Sequence, residues 1–134
     1  MISTKGRYAL RVVVDLAQHQ KEDGYIPLKD IAARQEISEK YLEIVLKSLV
    51  KKKLLKGLRG KGGGYRLTRE PKDYTVGEIL CLTEGTLAPV ACLTEDAEDC
   101  PRSEKCSTLR MWSRFNSLIN DFFYSITIAD LMEE

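Results

Sequence analysis

The sequence predicts a mainly α-helical fold with one small β-hairpin and a long C-terminal helix, and three observations carry this prediction. Apolar residues recur at spacings of three and four in several segments, which is typical of amphipathic helices. Two short strand-like runs flank a glycine-rich loop at residues 59–64. The last periodic segment, from Ser107 onward, is longer than the others. A chain of 134 residues can bury one hydrophobic core without the help of disulfides.

Three segments of the N-terminal half have helical periodicity. The first runs from Lys5 to Gln18, with Ser3 or Thr4 as its N-cap, and the second covers residues 27–34. After a break at residues 35–37, Ser38 is the expected N-cap of a third helix. The apolar stripe of this third helix consists of Tyr41, Leu42, Val45, Leu46, Leu49 and Val50. Two short helices joined by a tight turn predict a helix-turn-helix.

The segment after the third helix predicts a β-hairpin wing, which makes the fold a winged helix-turn-helix. Residues 54–58 and 65–68 have strand character, and the glycines between them supply the positive φ angles that the connecting loop needs. The loop lacks the Gly-Lys-Ser/Thr ending of a phosphate-binding loop and leads into a strand instead of a helix. These differences argue against nucleotide binding.

The C-terminal half predicts a capped helix, an acidic loop and the long helix. Thr75 and Glu78 form a capping-box pattern, and Gly85 ends that helix. The long helix has an apolar seam at Leu109, Trp112, Phe115, Ile119, Phe122 and Ile126, widened by Met111 and Phe123, which predicts a partner helix from a second copy. Thr127 and Asp130 cap a last turn.

We expect a DNA-binding domain at 1–74, a linking helix and cysteine loop at 75–106, and a dimerisation helix with a C-terminal turn at 107–134.

The charge is distributed unevenly along the chain. The net charge is only +1, but residues 47–72 hold ten basic residues and one acidic residue, whereas the remaining chain holds 11 basic and 19 acidic residues. A basic segment on a helix and hairpin predicts a polyanionic partner, although a solvated lysine-rich face would give the same count. The sequence shows no membrane-spanning run and no signal-peptide pattern, so we expect a cytoplasmic protein.

Double-stranded DNA with a near-palindromic operator is the predicted partner of a homodimer. The residues predicted to contact it lie at the start of the third helix and in the wing: Ser38, Glu39, Lys40, Tyr41, Glu43, Arg59, Gly60, Lys61 and Gly62. A winged helix that binds only proteins is the alternative. An enzyme is not expected, because the chain has one histidine and neither a nucleophile motif nor a carboxylate pair in a pocket-forming context.

Three cysteines, Cys92, Cys100 and Cys106, lie in the acidic loop and predict a metal centre. Paired C-x-x-C knuckles or additional histidines, which structural zinc usually needs, are missing. His19 is expected at the surface. Cys81 lies within the helix that precedes the loop, and it is expected to be buried in packing. A thiol redox switch is the alternative. It is weakened by carboxylates that disfavour a thiolate, at Glu95, Asp96, Glu98 and Asp99.

These segments together resemble the Rrf2 family of bacterial repressors, which includes the IscR, NsrR and CymR types. The resemblance rests on residues 2–10, on the helix-turn-helix residues 31–32 and 38–43, on the wing residues 59–67, and on residues 76–79. It continues through the three cysteines, Trp112 and residues 127–131.

The resemblance implies a homodimer held by the long helix, with cluster presence, loss or oxidation changing the affinity for DNA. Members with cysteines in this loop hold a [2Fe-2S] or [4Fe-4S] cluster and sense iron–sulfur supply, nitric oxide or redox state, whereas CymR-type members work through a protein partner. The IscR type has a histidine where this chain has Leu109, and the NsrR type takes an aspartate near the position of Tyr8. The fourth ligand stays open among Ser107, Glu104, a partner carboxylate and a small molecule. Three cysteines without histidine favour [4Fe-4S].

Overall fold

The computed structural model of this chain describes residues 2–133. In chain order its elements are α1 (Thr4–His19), α2 (Leu28–Gln35), α3 (Glu39–Lys51), β1 (Leu55–Leu58), β2 (Gly64–Leu67), α4 (Val76–Glu84), α5 (Leu109–Ser125) and α6 (Ile128–Met132). Short 3-10 turns lie at Pro71–Asp73 and Ala91–Leu93. None of the helices between residues 2 and 133 is long and apolar enough to cross a membrane. The mainly helical fold with a hairpin and a long C-terminal helix is confirmed.

The helix-turn-helix begins where the polar caps predict. The Ser3 side chain accepts a hydrogen bond from the Gly6 N–H, and the Ser38 side chain accepts one from the Tyr41 N–H at 3.2 Å. Pro27 is the N-cap of α2, so this helix begins and ends one position later than the predicted range 27–34. Glu36 ends α2 in the left-handed region, with φ at 55°. This left-handed residue ends α2 and begins the tight turn that leads into α3.

The main hydrophobic core lies among α1, α2, α3 and the base of the hairpin. Its fully buried side chains include Leu16, Ile31, Leu46 and Tyr74. The hydroxyl of Tyr74 donates to the Leu54 carbonyl at 2.6 Å and accepts from the Thr68 N–H at 2.9 Å. A buried aromatic ring with a satisfied hydroxyl therefore fixes the hairpin against the helices.

The wing is a two-stranded antiparallel sheet in which Leu55 pairs with Leu67 and Leu58 pairs with Gly64. Tyr65 also exchanges two backbone hydrogen bonds of 2.9 Å with Ile26, which ties the wing to the segment before α2. Gly60 and Gly62 have φ angles of 90° and 77°, a region that costs other residues energy. The predicted hairpin and the predicted role of its glycines are confirmed.

The C-terminal half differs from the sequence predictions in two places. The Thr75 side chain accepts from the Glu78 N–H, but the Glu78 carboxylate binds the Arg69 guanidinium and does not complete the predicted capping box. The pair with Arg69 joins two ionised groups, whereas a capping bond to a backbone N–H involves only one, which accounts for this choice. The predicted burial of Cys81 was also too strong, because this residue is half-buried at the margin of a small apolar cluster.

The seam predicted for α5 is divided between two faces. Ile119, Phe123 and Ile126 pack against the small cluster of Val76, Leu80 and Leu87. Another row of apolar side chains on the same helix is exposed: Met111, Phe115, Leu118 and Phe122. The periodicity indicated an apolar helix correctly, but it merged a face used within the chain with a face that points outward.

Candidate nucleic-acid interface and cysteine loop

The outward face of α3 carries most of the predicted DNA-contacting side chains. Glu39, Lys40 and Glu43 are exposed, and the Lys47 ammonium lies 3.0 Å from a carboxylate oxygen of Glu43. The Ser38 hydroxyl accepts the capping bond, and it keeps a proton to donate outward. The structure thus brings four of the five predicted helix residues, all except Tyr41, onto one exposed surface at the start of α3.

Tyr41 points in a different direction from its neighbours. Its ring is half-buried and packs edge-on against Tyr8 of α1, with the centroids 5.6 Å apart. The Arg11 guanidinium lies over the Tyr8 ring at 5.1 Å. Tyr41 therefore anchors the N-terminal end of α3 to α1, a contact that was not predicted from the sequence.

The wing presents its charged residues to solvent. Arg59, Gly60, Lys61 and Gly62 are all exposed around the turn between β1 and β2. Because the two glycines lie open with nothing within 4 Å of a Cβ built on either of them, their role is conformational and not steric. The turn thus exposes the Arg59 guanidinium and the Lys61 ammonium to solvent.

A buried carboxylate, missed in the sequence analysis, locks the helix-turn-helix. Asp15 of α1 is completely buried, and its two oxygens accept bonds from the Arg34 guanidinium at 3.0 and 2.7 Å and from the Gln35 amide at 2.9 Å. This hydrogen bonding to Asp15 raises the pKa of Arg34. Gln35 also accepts from Arg11 at 3.1 Å. An acid inside the apolar stripe of α1, between Val12 and Leu16, was the available sequence signal.

His19 lies at the end of α1, as predicted, and is exposed at the surface. Its Nδ1 atom lies 2.9 Å from the Asp15 carbonyl oxygen, four residues earlier in the same helix. The imidazole thus contacts the last turn of α1.

The three loop cysteines are exposed and free. Cys92 lies in the 3-10 turn after α4, Cys100 lies in the following turns, and Cys106 comes just before α5. Among residues 2–133, no three His, Cys, Asp or Glu side chains lie close enough together to hold a metal ion. The donor chemistry of three thiols suits a soft metal centre, but their loop does not gather them within one chain.

Cys106 differs from the expectation that acidic neighbours disfavour its thiolate. The hydroxyl of Thr108, 3.4 Å from Cys106 Sγ, lowers the pKa of this thiol, with smaller contributions from backbone N–H groups and the Arg102 charge. The cause is local, because Cys106 lies beside the N-terminal end of α5, where N–H groups point outward.

A pair of hydrogen bonds joins the end of α4, where the cysteine loop begins, to the N-cap residue of α1. Glu84, the last residue of α4, accepts bonds from the Ser3 N–H at 3.0 Å and from the Ser3 hydroxyl. Its carboxylate lies at the N-terminus of α1, whose first turn contains no acidic residue of its own. A negative charge at this place is favourable, because helix N-termini carry a partial positive charge.

Comparison with known proteins gives a consistent result. The family described as Rrf2, iron-dependent transcriptional regulator, matches residues 2–134. The chain is 36% identical over 133 residues to the HTH-type transcriptional regulator IscR of Photobacterium profundum, covering 99% of this chain and 76% of that protein.

Two solved structures are equally similar in sequence. CymR (YrzC), the global cysteine regulator of B. subtilis, is 36% identical with a TM-score of 0.78, and the match covers 99% of this chain and 96% of CymR. The IscR of T. potens is also 36% identical, with a TM-score of 0.76 and coverage of 99% and 86%. Because the identity to both structures is equal, it does not decide whether this chain is closer to the IscR type or to the CymR type.

Proposed function

This chain belongs to the Rrf2 family of DNA-binding transcriptional regulators, and from that premise we propose that its affinity for a promoter is set by an iron–sulfur cluster held at Cys92, Cys100 and Cys106. The chain is a regulator and not an enzyme. The observation that carries the proposal is the presence of three exposed, free thiols in a loop that connects α4 to the outward-facing helix α5. The resemblance to a family of repressors supports repression as the direction of control.

The DNA-contacting surface in this proposal consists of the start of α3 and the wing. Ser38, Glu39, Lys40 and Glu43 are exposed at the start of α3, the part of a recognition helix that meets base edges and phosphates. Tyr41, also predicted for this site, holds that end of the helix against Tyr8. The wing residues Arg59, Gly60, Lys61 and Gly62 supply a guanidinium to a neighbouring minor groove, where a narrow groove favours arginine. The basic segment 47–72 neutralises phosphates and makes the binding dependent on salt.

A homodimer is the second part of the proposal. Met111, Phe115, Leu118 and Phe122 recur at spacings of four, three and four along α5, and all four are exposed. This spacing is typical of a helix that packs along another helix. Two copies joined along α5 present two α3 helices, and half-sites about 34 Å apart match a near-palindromic operator.

The cluster ligands proposed are the three thiolates, with the fourth ligand open among Ser107, Glu104, a partner carboxylate and a small molecule. The lowered pKa of Cys106 favours the thiolate that ligation requires. A bound cluster supplies a redox-sensitive and nitric-oxide-sensitive iron centre. Because the three thiols are separate in the single chain, bringing them onto one cluster orders the loop between α4 and α5.

The cluster is tested on protein purified without oxygen, by visible absorbance and by iron and sulfide analysis. We expect a brown protein with stoichiometric iron, and Cys92→Ala is expected to lose both colour and iron. Cys81→Ala is the matched control, because Cys81 lies outside the loop and its loss is expected to leave the colour unchanged. A colourless protein that cannot be reconstituted would remove the cluster from the proposal.

The coupling is tested by comparing the DNA affinity of anaerobic and air-exposed samples. We expect the wild-type affinity to change between the two conditions and the affinity of Cys92→Ala to stay the same in both. Identical behaviour of the two proteins would contradict control by the cluster. DNA binding itself is tested by Arg59→Ala, which we expect to weaken duplex binding, with Lys21→Ala, in the turn after α1, as the control.

Thiol control without a cluster is the second candidate, and the exposure of all three loop cysteines favours it. This form predicts a colourless protein whose DNA binding follows the reductant. The similarity to CymR supports a further variant in which a protein partner sets the DNA affinity. The absorbance measurement distinguishes both from the cluster-bound form.

A further inference from the structure

Two large apolar side chains are exposed on the winged helix, and they form the starting observation. Within the described residues 2–133, the exposed large apolar residues outside α5 are Ile44, at 55% of its full exposure, and Leu58, at 49%. Single exposed apolar residues are common on proteins and need no explanation by themselves. Ile44, however, lies between charged residues on the exposed face of α3.

Ile44 lies on the outward face of α3, in line with lysines. Lys40 is four residues before it and Lys47 three residues after it, so all three share one stripe of the helix. The opposite face of α3, with Leu42, Val45, Leu46 and Leu49, is buried in the core. Ile44 is therefore an apolar centre flanked by cationic side chains on a surface that points away from the protein.

The side chains of this surface, two lysines and one isoleucine, indicate the class of partner that it would bind. Lysines favour a polyanion, and an isoleucine side chain has no donor or acceptor with which to read a polar base edge. The DNA major groove combines phosphate rims with an apolar group, because thymine presents its 5-methyl group there. An α-helix fits this groove, whereas the deep and narrow major groove of RNA excludes side chains.

We infer that Ile44 contacts the 5-methyl group of one thymine in each operator half-site and makes α3 selective for that base. The inference rests on the proposed placement of α3 in the major groove. Cytosine lacks the methyl group, so a T·A pair is preferred over C·G at this position. A cytosine that carries a 5-methyl group offers Ile44 the same apolar contact that thymine does.

Leu58 provides a matched comparison on the same molecule. It lies in β1 directly before Arg59, on the wing that the proposed function places at the minor groove. Thymine has no methyl group in the minor groove, so Leu58 cannot read one there. The two residues are almost equally exposed, and only Ile44 is expected to sense the methyl group.

The test uses the full-length protein and a duplex selected from random sequence by repeated binding. Each thymine of the selected site is replaced in turn by uracil, which removes only the methyl group. We expect one replacement in each half-site to weaken wild-type binding about fourfold, the effect of losing one buried methyl-sized group. Ile44→Ala is expected to bind the uracil and thymine forms of that site equally well.

The controls separate the inference from the fold and from the proposed function. Leu58→Ala is expected to keep the fourfold difference, and thermal melting checks that Ile44→Ala remains folded. Replacing that T·A pair by C·G and by 5-methylcytosine·G should give tighter binding of the methylated form to wild type only. If wild type binds the selected duplex but no uracil replacement weakens binding, or if Ile44→Ala keeps the difference, the inference is wrong. A protein that selects no duplex contradicts both the inference and the proposed function.

Discussion

At the scale of single residues, the helix-turn-helix depends on the buried charge of Asp15. Arg34 and Gln35 stand at the end of α2, so their bonds to Asp15 fix the position from which the chain turns into α3. Gln35 in turn accepts from Arg11, whose guanidinium lies over Tyr8, and Tyr8 packs on Tyr41 at the start of α3. The orientation of α3 is thus tied to the Asp15 carboxylate through this series of contacts.

Asp15→Asn is expected to lower the free energy of unfolding by about 1 to 3 kcal/mol, because the buried amide nitrogen that replaces one carboxylate oxygen faces the donors of Arg34 and Gln35 and loses a hydrogen bond there. Chemical denaturation measures this change. Lys47→Ala, which breaks the exposed pair with Glu43, is the control and should cost less than about 0.5 kcal/mol. Equal effects of the two substitutions would show that the buried network adds no more than a surface pair.

Residue roles could be predicted from the sequence where the cause is local. Ser3, Ser38 and Thr127 cap their helices as predicted, because each cap bonds to an N–H only three residues away. The role of Asp15 and the choice of Arg69 as partner for Glu78 were missed. Their partners lie 19 and 9 residues away, and spacing along the sequence does not show which side chains meet across such distances.

At the scale of elements, α4 and α5 approach each other closely at Gly77. A Cβ atom built on Gly77 would lie 2.6 Å from the Tyr124 ring, closer than real side chains come. Burial raises the pKa of the Tyr124 hydroxyl, and the neighbouring Cys81 thiol adds to the rise. The fit of this glycine under an aromatic ring therefore sets the distance between the two helices.

Gly77→Ala is expected to destabilise the protein by about 1 to 3 kcal/mol, because the added methyl group displaces the Tyr124 ring. Combining it with Tyr124→Ala should recover part of that loss, and a double-mutant cycle measures the recovery. Gly24→Ala is the control, since the nearest atom to its added Cβ lies 3.8 Å away. A large loss at Gly24 or no coupling to Tyr124 would contradict this interpretation.

Element bounds followed from the sequence because caps and glycines mark them. The first helix was predicted over residues 5–18 and is found at Thr4–His19, and Gly85 ends α4 as expected. The sequence did not show which apolar side chains of α5 pack within the chain and which are exposed. Ile119 and Phe122 both fit the apolar period, and only the packing against Val76 and Leu80 shows that Ile119 is used within the chain.

At the scale of the whole molecule, the exposed row on α5 predicts assembly. Leu118→Glu places a charge in the middle of this row and is expected to shift the protein from dimer to monomer in analytical ultracentrifugation. DNA affinity should fall with it, since two half-sites are then bound independently. Ser117→Glu, on the neighbouring polar side of α5, is the control. If Leu118→Glu stays dimeric, another surface holds the copies together.

The contact between Glu84 and Ser3 offers a route from the cysteine loop to the DNA surface. The loop begins directly after α4, so a change in its order acts on Glu84, and Glu84 holds the first turn of α1 by two hydrogen bonds. That turn lies one helical turn before Tyr8, which packs on Tyr41 of α3. If α3 is the DNA-reading helix that we propose, a displacement at the end of α4 is expected to reach its start through these direct contacts.

Glu84→Gln tests this route, because it removes the charge at the N-terminus of α1 while keeping the shape of the side chain. We expect the variant to keep the iron content of wild type but to show a smaller ratio between its DNA affinities with and without the cluster. Glu98→Gln, an exposed acid within the loop, is the control and should keep the full ratio. A Glu84→Gln protein with normal iron and an unchanged ratio would contradict transmission of the signal through Glu84 and α1.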